Sequence, residues 1–575
     1  MIMPTFLTLK KNLKKDMSAL PGCKLALIGD CATQHIAQAL RGWGYEAGLR
    51  FEVLDTDYNQ IDAQTMDPVS ELYSFAPDYC LIANCTDKLY DAFCAFPAEL
   101  RKNFAQITRD RMVVVWQRIQ SNSNMRMLQF NFPQWDDRVF GDFGAKTPDS
   151  FAFQLRKLNF LLAESAAEYK NVFLVDIDGL QSRMGETQAR DNKMYCIAKM
   201  PFRTDFLPYI AKSVTDLILA ASGTFKKCAV LDLDNTLWGG VIGDDGLDGI
   251  QIGELGLGHA FSAFQMWLKE LKNRGIILCV CSKNNDDTAR EPFLKHPEMV
   301  LRLDDISVFV ANWEDKAGNI RQIQQTLNIG MDSIVFLDDN PFEREVVRSL
   351  IPGITVPELP ENPEEYVDYL RSLNLFETAS YSEEDRVRTA QYQAEAQRTM
   401  LQSQCNDYDA YLQGLEMVAE AKPFDSFHFP RIAQLTQRSN QFNLRTVRYT
   451  EQEIAAIAED DRFVTLYFTL RDKFGDHGLI STVIMEKQQD VLFVNTWLMS
   501  CRVLKRGMEE FIVNKMLSTA ANLGYRQVIG EYLKTPKNAM VANIYEKLGF
   551  TPAENGRFFA NVADFIPNET HITEE

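Results

Sequence analysis

The sequence Val230-Leu-Asp-Leu-Asp-Asn-Thr-Leu-Trp-Gly-Gly-Val-Ile-Gly-Asp-Asp-Gly246 is the most informative stretch of this chain. Its apolar start predicts a buried strand of a parallel sheet. Asp232 and Asp234 stand at the C-terminal end of that strand, where open α/β sheets bind their ligands. Two carboxylates that lie close together repel each other, so the stretch indicates a metal ion between them.

The size and charge of the chain exclude several classes of protein. Its 575 residues predict several domains, at about 150 residues per domain. Its net charge of −19, from 60 basic and 79 acidic residues, argues against binding to nucleic acid or to an anionic membrane surface. The 11 cysteines are scattered without CxxC pairs, which is typical of reduced thiols. The first residues do not show the order of a signal peptide, in which positive residues precede an apolar run, and no apolar run reaches roughly 20 residues. We therefore predict a cytoplasmic protein.

The pattern of strands and helices divides the chain into four predicted segments. Residues 1–222 are predicted to form an α/β domain. Residues 223–360 form a second, Rossmann-like α/β domain around the opening stretch. Residues 361–420 are a helical connector, with a capping-box-like start at 382–385. Residues 421–575 mix strands with two helices, at 507–523 and 538–548.

Apolar runs bounded by turn residues predict the strands of the first two domains. In the first domain they are residues 23–30, 79–83, 112–116 and 172–176. In the second domain they are residues 228–233, 276–281, 308–311 and 334–337.

Each predicted strand of the second domain is followed by a residue type that takes part in chemistry. In chain order these are Asp232 with Asp234, then Ser282, Lys316, and Asp338 with Asp339. The carboxyl ends of parallel strands meet at one edge of a sheet, so these side chains should converge. The set suits phosphoryl transfer, because Mg²⁺ and a lysine offset the repulsion between a carboxylate nucleophile and an anionic substrate. The predicted substrate is a small phosphorylated molecule.

Each of these signals also has a plainer interpretation. A single Asp-x-Asp-x-Thr is weak evidence, since acidic loops often follow strands. Asp339 could cap the helix that begins near Pro341, and Lys316 could be a solvated residue at a helix start. Their joint occurrence in the right order favours the site.

The order Asp-x-Asp-x-Thr, Ser, Lys, Asp-Asp resembles the haloacid dehalogenase (HAD) superfamily of phosphotransferases. The resemblance implies that Asp232 is the nucleophile that accepts the phosphoryl group. Asp234 would be the general acid for the leaving group and then the base for water. Thr236 would help to orient both, and Ser282 and Lys316 would hold the phosphoryl oxygens.

The same resemblance implies a magnesium site and a small cap. Magnesium would bind Asp232, the backbone carbonyl of Asp234 and Asp338, with Asp339 acting through water. Only a short segment separates the first strand from the helix predicted at His259. A cap of that size would leave the site open to large or protein-borne substrates.

The longer block DLDNTLWGGVIGDDG resembles the FkbH-like family. Four further stretches agree with it: residues 282–285, 434–443, 500–507 and 543–550. The resemblance implies an activated three-carbon phosphate, 1,3-bisphosphoglycerate, as substrate. It also implies transfer of the glyceryl group to the phosphopantetheine arm of an acyl carrier protein.

The last region resembles GNAT acyltransferases, chiefly through residues 543–550. The pyrophosphate loop of that fold has a glycine where this chain has Lys505. The resemblance therefore suggests a carrier arm with a single phosphate, which Arg502, Lys505 and Arg506 could contact. The alternative is that these cations form a solvated helix start.

The first region resembles SGNH hydrolases through Gly29 and Asp30, with Cys31 in place of the nucleophilic serine. The Asp-x-x-His of that family is missing, because residues 191–194 contain no histidine. A thiol without its base is a poor nucleophile. We therefore expect a degenerate domain with a structural or docking role.

A mechanistic conflict leaves the function open at this point. Attack at phosphorus would release the acyl group of an acyl phosphate as a free acid, whereas loading a thiol requires attack at carbon. The thiol could belong to the carrier, or to Cys281 or Cys501 acting as a relay. Adjacent strand residues face opposite sides, which favours Cys281 as a core residue. The competing functions are a plain magnesium phosphatase and a GNAT-type acyltransferase whose central domain binds the substrate.

Overall fold

The structure is a computed structural model of the 575-residue chain. It describes residues 3–327, 329–380, 394–395, 397–398, 401, 407–439, 441–500, 503–535 and 538–575. The predicted capping-box start at residues 382–385 lies outside the described residues.

The first domain is built on a parallel sheet with the strand order β2-β1-β3-β4-β5. This is the flavodoxin-like order, in which β1 and β3 flank the point where the chain changes direction across the sheet. Its strands are β1 (Gly22–Gly29), β2 (Arg50–Asp55), β3 (Tyr79–Ala83), β4 (Arg126–Phe130) and β5 (Val172–Val175).

Helices cover both faces of this first sheet, because side chains along each strand alternate between two cores. In β1, Leu25 and Leu27 pack into one core, and Ala26 and Ile28 pack into the other. The helices are α1 (Phe6–Asn12), α2 (Gln34–Glu46), α3 (Ile61–Met66), α4 (Glu71–Phe75), α5 (Thr86–Ala95), α6 (Phe104–Asn122), α7 (Phe151–Ala167), α8 (Ile177–Met184), α9 (Glu186–Ala189), α10 (Asn192–Ala198) and α11 (Leu207–Ala221).

The strand predicted at residues 112–116 is wrong, because this run lies inside helix α6. Its buried residues recur at Met112, Trp116 and Ile119, which is the spacing of one helix face. Val114, which would be central in a buried strand, is 40% exposed. The strand next to β3 is instead β4, whose side chains are buried from Met127 onward.

The second domain is a parallel sheet with the order β8-β7-β6-β9, again covered on both faces. Its strands are β6 (Cys228–Leu231), β7 (Ile277–Ser282), β8 (Val308–Ala311) and β9 (Ile334–Leu337). Its helices are α12 (Ile242–Gly249), α13 (Gly256–Asn273), α14 (Asp286–Lys295), α15 (Lys316–Leu327), α16 (Pro341–Leu350) and α17 (Tyr366–Leu373).

Helix α17 belongs to the second domain, although the sequence placed it in the connector. Its residues Tyr366 and Leu370 are buried and pack into the same core as the strands of the second sheet. Amphipathic patterning predicts a helix here but does not say which core the apolar face covers.

The third domain contains a mixed sheet with the order β15-β16-β14-β13-β12-β11-β10-β17. Neighbours from β10 to β13 are antiparallel, whereas β13 and β14 pair in parallel over residues 491–493 only. This mixed arrangement agrees with the GNAT-like α+β fold predicted for the region. Its strands are β10 (Val418–Lys422), β11 (Phe463–Asp472), β12 (Gly475–Gln488), β13 (Val491–Met499), β14 (Gln527–Glu531), β15 (Thr551–Pro552), β16 (Arg557–Asn561) and β17 (Thr573–Glu574).

The helices of the third domain differ from the prediction at one place. The predicted helix at residues 538–548 is interrupted at Asn543, whose backbone is not helical, so that only its last turn is α-helical. The helices are α18 (Tyr408–Gly414), α19 (Phe429–Arg438), α20 (Glu451–Glu459), α21 (Met508–Asn522) and α22 (Ile544–Lys547). No helix in the described part of the chain is both long and apolar enough to cross a membrane.

Candidate active site

The chemical side chains of the second domain lie at the carboxyl edge of its sheet. Strands β6 and β9 pair in parallel, and the register continues beyond them, because the Asp232 N–H donates to the carbonyl of Leu337 (2.9 Å). The residues that follow β6 and β9 are therefore held side by side. This places Asp232 next to Asp338, as parallel pairing predicts.

Lys316 is the charged centre of the site. Its Nζ lies 3.0 Å from Asp232 Oδ1 and 2.5 Å from Asp338 Oδ2, and its side chain is only 4% exposed. Burial by itself lowers the pKa of Lys316, but the carboxylates of Asp232 and Asp338 outweigh it and hold the pKa above its ordinary value. Lys316 is therefore a buried cation and not a solvated helix start.

Asp339 is oriented by Thr236 and does not cap helix α16. The Thr236 hydroxyl donates to Asp339 Oδ1 (3.2 Å), and the Asp339 N–H donates back to Thr236 Oγ1 (3.1 Å). The cap of α16 is Asn340, whose side chain accepts from the N–H of Phe342 (2.9 Å). The plainer interpretation of Asp339 is therefore wrong.

Three carboxylates form an acidic cluster of the composition that a hard cation prefers. Oxygen atoms of Asp232, Asp338 and Asp339 lie within 4.8 Å of one another. Burial and the charge of Asp232 raise the pKa of Asp338 to about 7, against the effect of Lys316. Burial and Asp232 likewise raise the pKa of Asp339. This crowding of like charges fits a divalent cation, which would offset it.

Asp234 lies outside the acidic cluster and is held by its own set of donors. Its Oδ1 accepts from Trp238 Nε1 and from the Ile242 N–H, both at 3.0 Å. Its Oδ2 accepts from Asn284 Nδ2 at 3.1 Å. Burial raises the pKa of Asp234, although these hydrogen bonds act in the opposite direction. A half-buried acid with a raised pKa and a fixed orientation is suited to donating a proton.

A tight loop after Asp234 brings Trp238 and Ile242 back over the carboxylate. Asn235 has φ of +55° and Gly240 has φ of +91°. The two residues are tied together, because the Gly240 N–H donates to Asn235 Oδ1 (2.9 Å). The short helix α12 follows directly, so the segment between β6 and α13 forms a small lid at most.

Ser282 and Cys281 face opposite sides of strand β7, as the alternation of a strand requires. Ser282 is buried at the end of the strand, and Asn284 follows it towards Asp234. Cys281 packs into the apolar core below the sheet, where its Sγ donates to the carbonyl of Lys316 (3.7 Å). Burial raises the pKa of the Cys281 thiol, so it is an inert core residue.

Of the residues predicted to contact a carrier arm, Lys505 is exposed and Arg506 is buried. Arg506 is 6% exposed, and its guanidinium contacts Glu395 (3.1 Å), His477 (3.3 Å) and Asp472 (3.8 Å). The prediction that Arg506 binds a phosphate is therefore corrected: it is part of a buried ionic cluster, because nearby acids attract it inward. Cys501 and Arg502 lie outside the described residues.

In the first domain, the position of the missing Asp-x-x-His motif begins a helix. Asp191 accepts from the N–H of Met194 (2.9 Å) and so caps α10. The degenerate role of the first domain stays a prediction.

Two contributors to the site, Trp238 and Asn284, were not assigned a role from the sequence. Trp238 stands four residues after Asp234, and Asn284 stands two residues after Ser282. Polar side chains at short spacing from predicted catalytic residues could have indicated them, but only the loop geometry shows that they converge on Asp234.

The parallel sheet, the acidic cluster and the buried lysine at its carboxyl edge define a HAD-type phosphatase domain. Residues 24–219, within the first domain, match the family model of the FkbH N-terminal domain. The crystal structure of the N-terminal part of protein BF1531 from Bacteroides fragilis, which contains a phosphatase domain complexed with Mg, is 48% identical to this chain. The match covers 66% of this chain and 100% of that one, with a TM-score of 0.63. The chain therefore belongs to the same family as BF1531.

The third domain has more distant structural neighbours. The ribosomal-protein-S18-alanine N-acetyltransferase from Escherichia coli is 14% identical and covers 25% of this chain and 94% of its own, with a TM-score of 0.20. The GNAT domain of S. lividans PAT is 17% identical and covers 24% of this chain and 89% of its own, with a TM-score of 0.21. No curated protein sequence matches the chain.

Proposed function

We propose that the second domain is a magnesium-dependent phosphotransferase in which Asp232 is the nucleophile. The observation that carries this proposal is the buried contact of Lys316 with both Asp232 and Asp338 inside a cluster of three carboxylates. A lysine in that position neutralises charge where an anionic phosphoryl group would approach the carboxylate. The Mg in the BF1531 phosphatase domain supports the choice of metal.

The roles of the other residues follow from their contacts. Asp232 attacks phosphorus, and Lys316 and Ser282 hold the phosphoryl oxygens. Asp234, which Trp238 Nε1 holds in place, protonates the leaving group and then removes a proton from water. When bound to Asp232, Asp338 and Asp339, Mg²⁺ would supply further positive charge to the transferred group.

The first test measures phosphate release from a simple phosphomonoester by the full chain. We expect activity with Mg²⁺ that disappears with EDTA and returns when Mg²⁺ is added. Asp232→Asn should lower the rate by about three orders of magnitude or more, because it removes the nucleophile. Asp244→Asn changes an exposed acid of helix α12, which follows the loop, and serves as the matched control. A fully active Asp232→Asn protein would refute the assignment.

The proposed substrate is an acyl phosphate such as 1,3-bisphosphoglycerate, and the proposed acceptor is an acyl carrier protein thiol. The FkbH N-terminal domain match and the FkbH-like motifs support this choice. Such a substrate carries two different phosphates, a mixed anhydride and a phosphomonoester. Attack by Asp232 on the monoester would leave the activated acyl bond intact, so a thiol could then attack the acyl carbon and release phosphate. This division removes the conflict between P–O and C–O cleavage.

The second test supplies the full chain with Mg²⁺, 1,3-bisphosphoglycerate and holo carrier protein. Intact-mass analysis should show a glycerylated carrier. Free phosphate with an unmodified carrier would refute the transfer and leave a plain phosphatase. If Asp232→Asn protein forms a phosphoglyceryl carrier, the thiol has reacted at the acyl carbon while the phosphomonoester has stayed intact. That result would support separate sites of attack for Asp232 and the thiol.

A further inference from the structure

A second cluster of chemical side chains lies in the first domain, far in sequence from the acids of the second. Asp30 and Cys31 follow strand β1, and Cys85 follows strand β3, its parallel neighbour. A carboxylate oxygen of Asp30 and the sulfur atoms of Cys31 and Cys85 lie within 4.8 Å of one another. The cluster therefore stands at the change of direction between β1 and β3, where sheets of this order bind ligands.

The cluster is shielded from water, and its groups crowd one another. Cys31 and Cys85 are each 1% exposed, and Asp30 is half-buried. Burial raises the pKa of Asp30 to about 6, although hydrogen bonds from Asn84 and Cys85 oppose it. The neighbouring Cys31 thiol, burial and Asp30 together raise the pKa of Cys85.

A chain of buried hydrogen bonds fixes the orientation of Asp30. Trp116 Nε1 donates to Gln129 Oε1 (3.1 Å), and Gln129 Nε2 donates to Asn84 Oδ1 (3.0 Å). Asn84 Nδ2 then donates to Asp30 Oδ2 (2.9 Å). The Cys85 N–H donates to the other oxygen, Oδ1, at 2.9 Å. Each oxygen of Asp30 thus accepts a hydrogen bond, and the Cys85 thiol adds another, so the carboxylate is oriented as carboxylate ligands of metals are.

We propose that Asp30, Cys31 and Cys85 form a binding site for a soft divalent cation, with zinc as the expected ion. Two sulfurs and one carboxylate oxygen are a donor set that zinc accepts. In tetrahedral zinc sites two thiolate sulfurs lie about 3.8 Å apart, so the cluster needs to contract by about 1 Å at most. Binding converts both thiols to thiolates and releases two protons to solvent. Three protein ligands leave a fourth position for water or for a ligand.

The proposal is independent of the phosphotransferase function, because it concerns another domain and other residues. The magnesium cluster consists of carboxylates only, which a hard cation prefers, whereas thiolates select a softer ion. The two sites can therefore be distinguished by the spectroscopic signature of sulfur ligation.

The test uses cobalt as a spectroscopic probe for zinc. The full chain is reduced, stripped of metal and titrated with Co²⁺ in the presence of excess Mg²⁺. We expect a thiolate-to-cobalt charge-transfer band in the near ultraviolet that saturates at one equivalent and is abolished by one equivalent of Zn²⁺. Carboxylate ligation at the magnesium cluster gives no such band, so binding there cannot mimic the result.

Variants assign the band to particular residues. Cys31→Ser and Cys85→Ser should each remove it, whereas Cys94→Ser, an exposed thiol, and Cys80→Ala, a buried thiol on β3, should retain it. Asn84→Ala leaves all three ligands in place but removes the donor to Asp30. It should weaken cobalt binding by about 10- to 100-fold, as loss of a metal ligand's hydrogen-bond partner does.

Two outcomes would overturn the proposal. One is wild-type protein with both thiols reduced that shows no thiolate band at a tenfold excess of Co²⁺. The other is a band that persists in folded Cys31→Ser or Cys85→Ser protein. Folding of each variant is followed by circular dichroism, and the wild-type titration decides the matter even where a variant fails to fold.

Discussion

Asp234 shows how much of a catalytic residue's behaviour depends on neighbours that the motif does not name. Its type and place follow from Asp-x-Asp-x-Thr. Its orientation depends on Trp238, Ile242 and Asn284, which approach it from two directions. These donors stabilise the charged carboxylate, while burial stabilises the neutral acid. The balance sets the pH range in which Asp234 can give up a proton.

Trp238→Phe should therefore change the pH dependence of the reaction and leave the fold intact. Removing the indole donor favours the protonated acid, so the pKa of Asp234 rises further. The alkaline limb of the kcat profile should move to higher pH, and kcat should fall by about tenfold to a hundredfold as the acid loses its orientation. Trp267→Phe, in the same domain but packed against Phe264 and Phe376, is the control. An unshifted limb would mean that Trp238 only packs.

At the scale of elements, helix α6 shows that the spacing of buried residues distinguishes a helix from a strand. The run Met112 to Trp116 is rich in β-branched residues, which favours a strand by propensity alone. Burial at Met112, Trp116 and Ile119 with exposure at Val114 follows the helix period instead. Packing against the sheet overrides the propensity of three valines.

Two substitutions in α6 should differ strongly in their effect on the free energy of unfolding. Val114→Lys places a charge on the exposed face and should change the free energy of unfolding by less than about 0.5 kcal/mol. Ile119→Ala empties a fully buried position and should cost about 2–5 kcal/mol. Thermal and denaturant unfolding of the full chain measure both. Severe destabilisation by Val114→Lys would contradict the helix.

The hairpin of β11 and β12 carries a buried ionic cluster, from which we predict that the third domain is sensitive to acid. Asp472 accepts from Arg398 Nε (2.6 Å) and Nη2 (2.8 Å), and it contacts His477 Nε2 at 3.1 Å. Burial alone raises the pKa of Asp472, but the hydrogen bonds from His477 and Arg398 outweigh it and hold the pKa well below its usual range. The charged carboxylate is thus favoured in the folded state.

The sign of the pH effect follows from that depressed pKa. The stabilisation is fully present above the ordinary pKa of an aspartate, which is 3.8, and is lost as pH falls towards the folded value. Asp472→Asn should speed hydrogen exchange in residues 463–488 at pH 7. The increase should correspond to a loss of about 3 kcal/mol in the free energy of opening, because a buried ion pair is broken. The difference from wild type should shrink below about pH 4. Asp476→Asn, an exposed acid of the same hairpin, should change neither.

At the scale of the whole molecule, the crystallised N-terminal part of BF1531 is matched over its full length and covers 66% of this chain, about the length of the first two domains. Contacts join them directly: Asn374 Nδ2 donates to Asp216 Oδ2 (3.0 Å), which lies on α11 of the first domain. Apolar side chains of α17 close the core of the second domain just before residue 380. The residues proposed for the phosphate chemistry all lie within the first two domains.

A protein of residues 1–380 should fold and hydrolyse a phosphomonoester at a rate within about twofold of the full chain. The acyl transfer proposed above should be lost or strongly reduced, because the third domain is absent. Circular dichroism and phosphate release measure the first part, and intact-mass analysis of the carrier measures the second. A folded but inactive fragment beside an active full chain would show that the third domain completes the phosphate site.

Local patterns were enough to predict the second domain and most of its site. Asp232, Ser282, Lys316, Asp338 and Asp339 follow strands, and parallel strands bring their carboxyl ends to one edge whatever the rest of the chain does. The residues of the acidic cluster and their lysine could therefore be named before any contact was known. Their catalytic roles remain predictions until the variants are measured.

The remaining features depended on partners that are distant in sequence. Arg506 could not be recognised as buried, because Glu395 and the hairpin residues Asp472 and His477 approach it from two separate segments. The run at 112–116 became a helix because of the sheet on which it packs. Cys85 lies near Cys31 and Asp30, which precede it by 54 and 55 residues, only because β1 and β3 are neighbours. Residue types and strand order are local properties, whereas burial, charge pairing and ligand clusters arise when distant segments pack together.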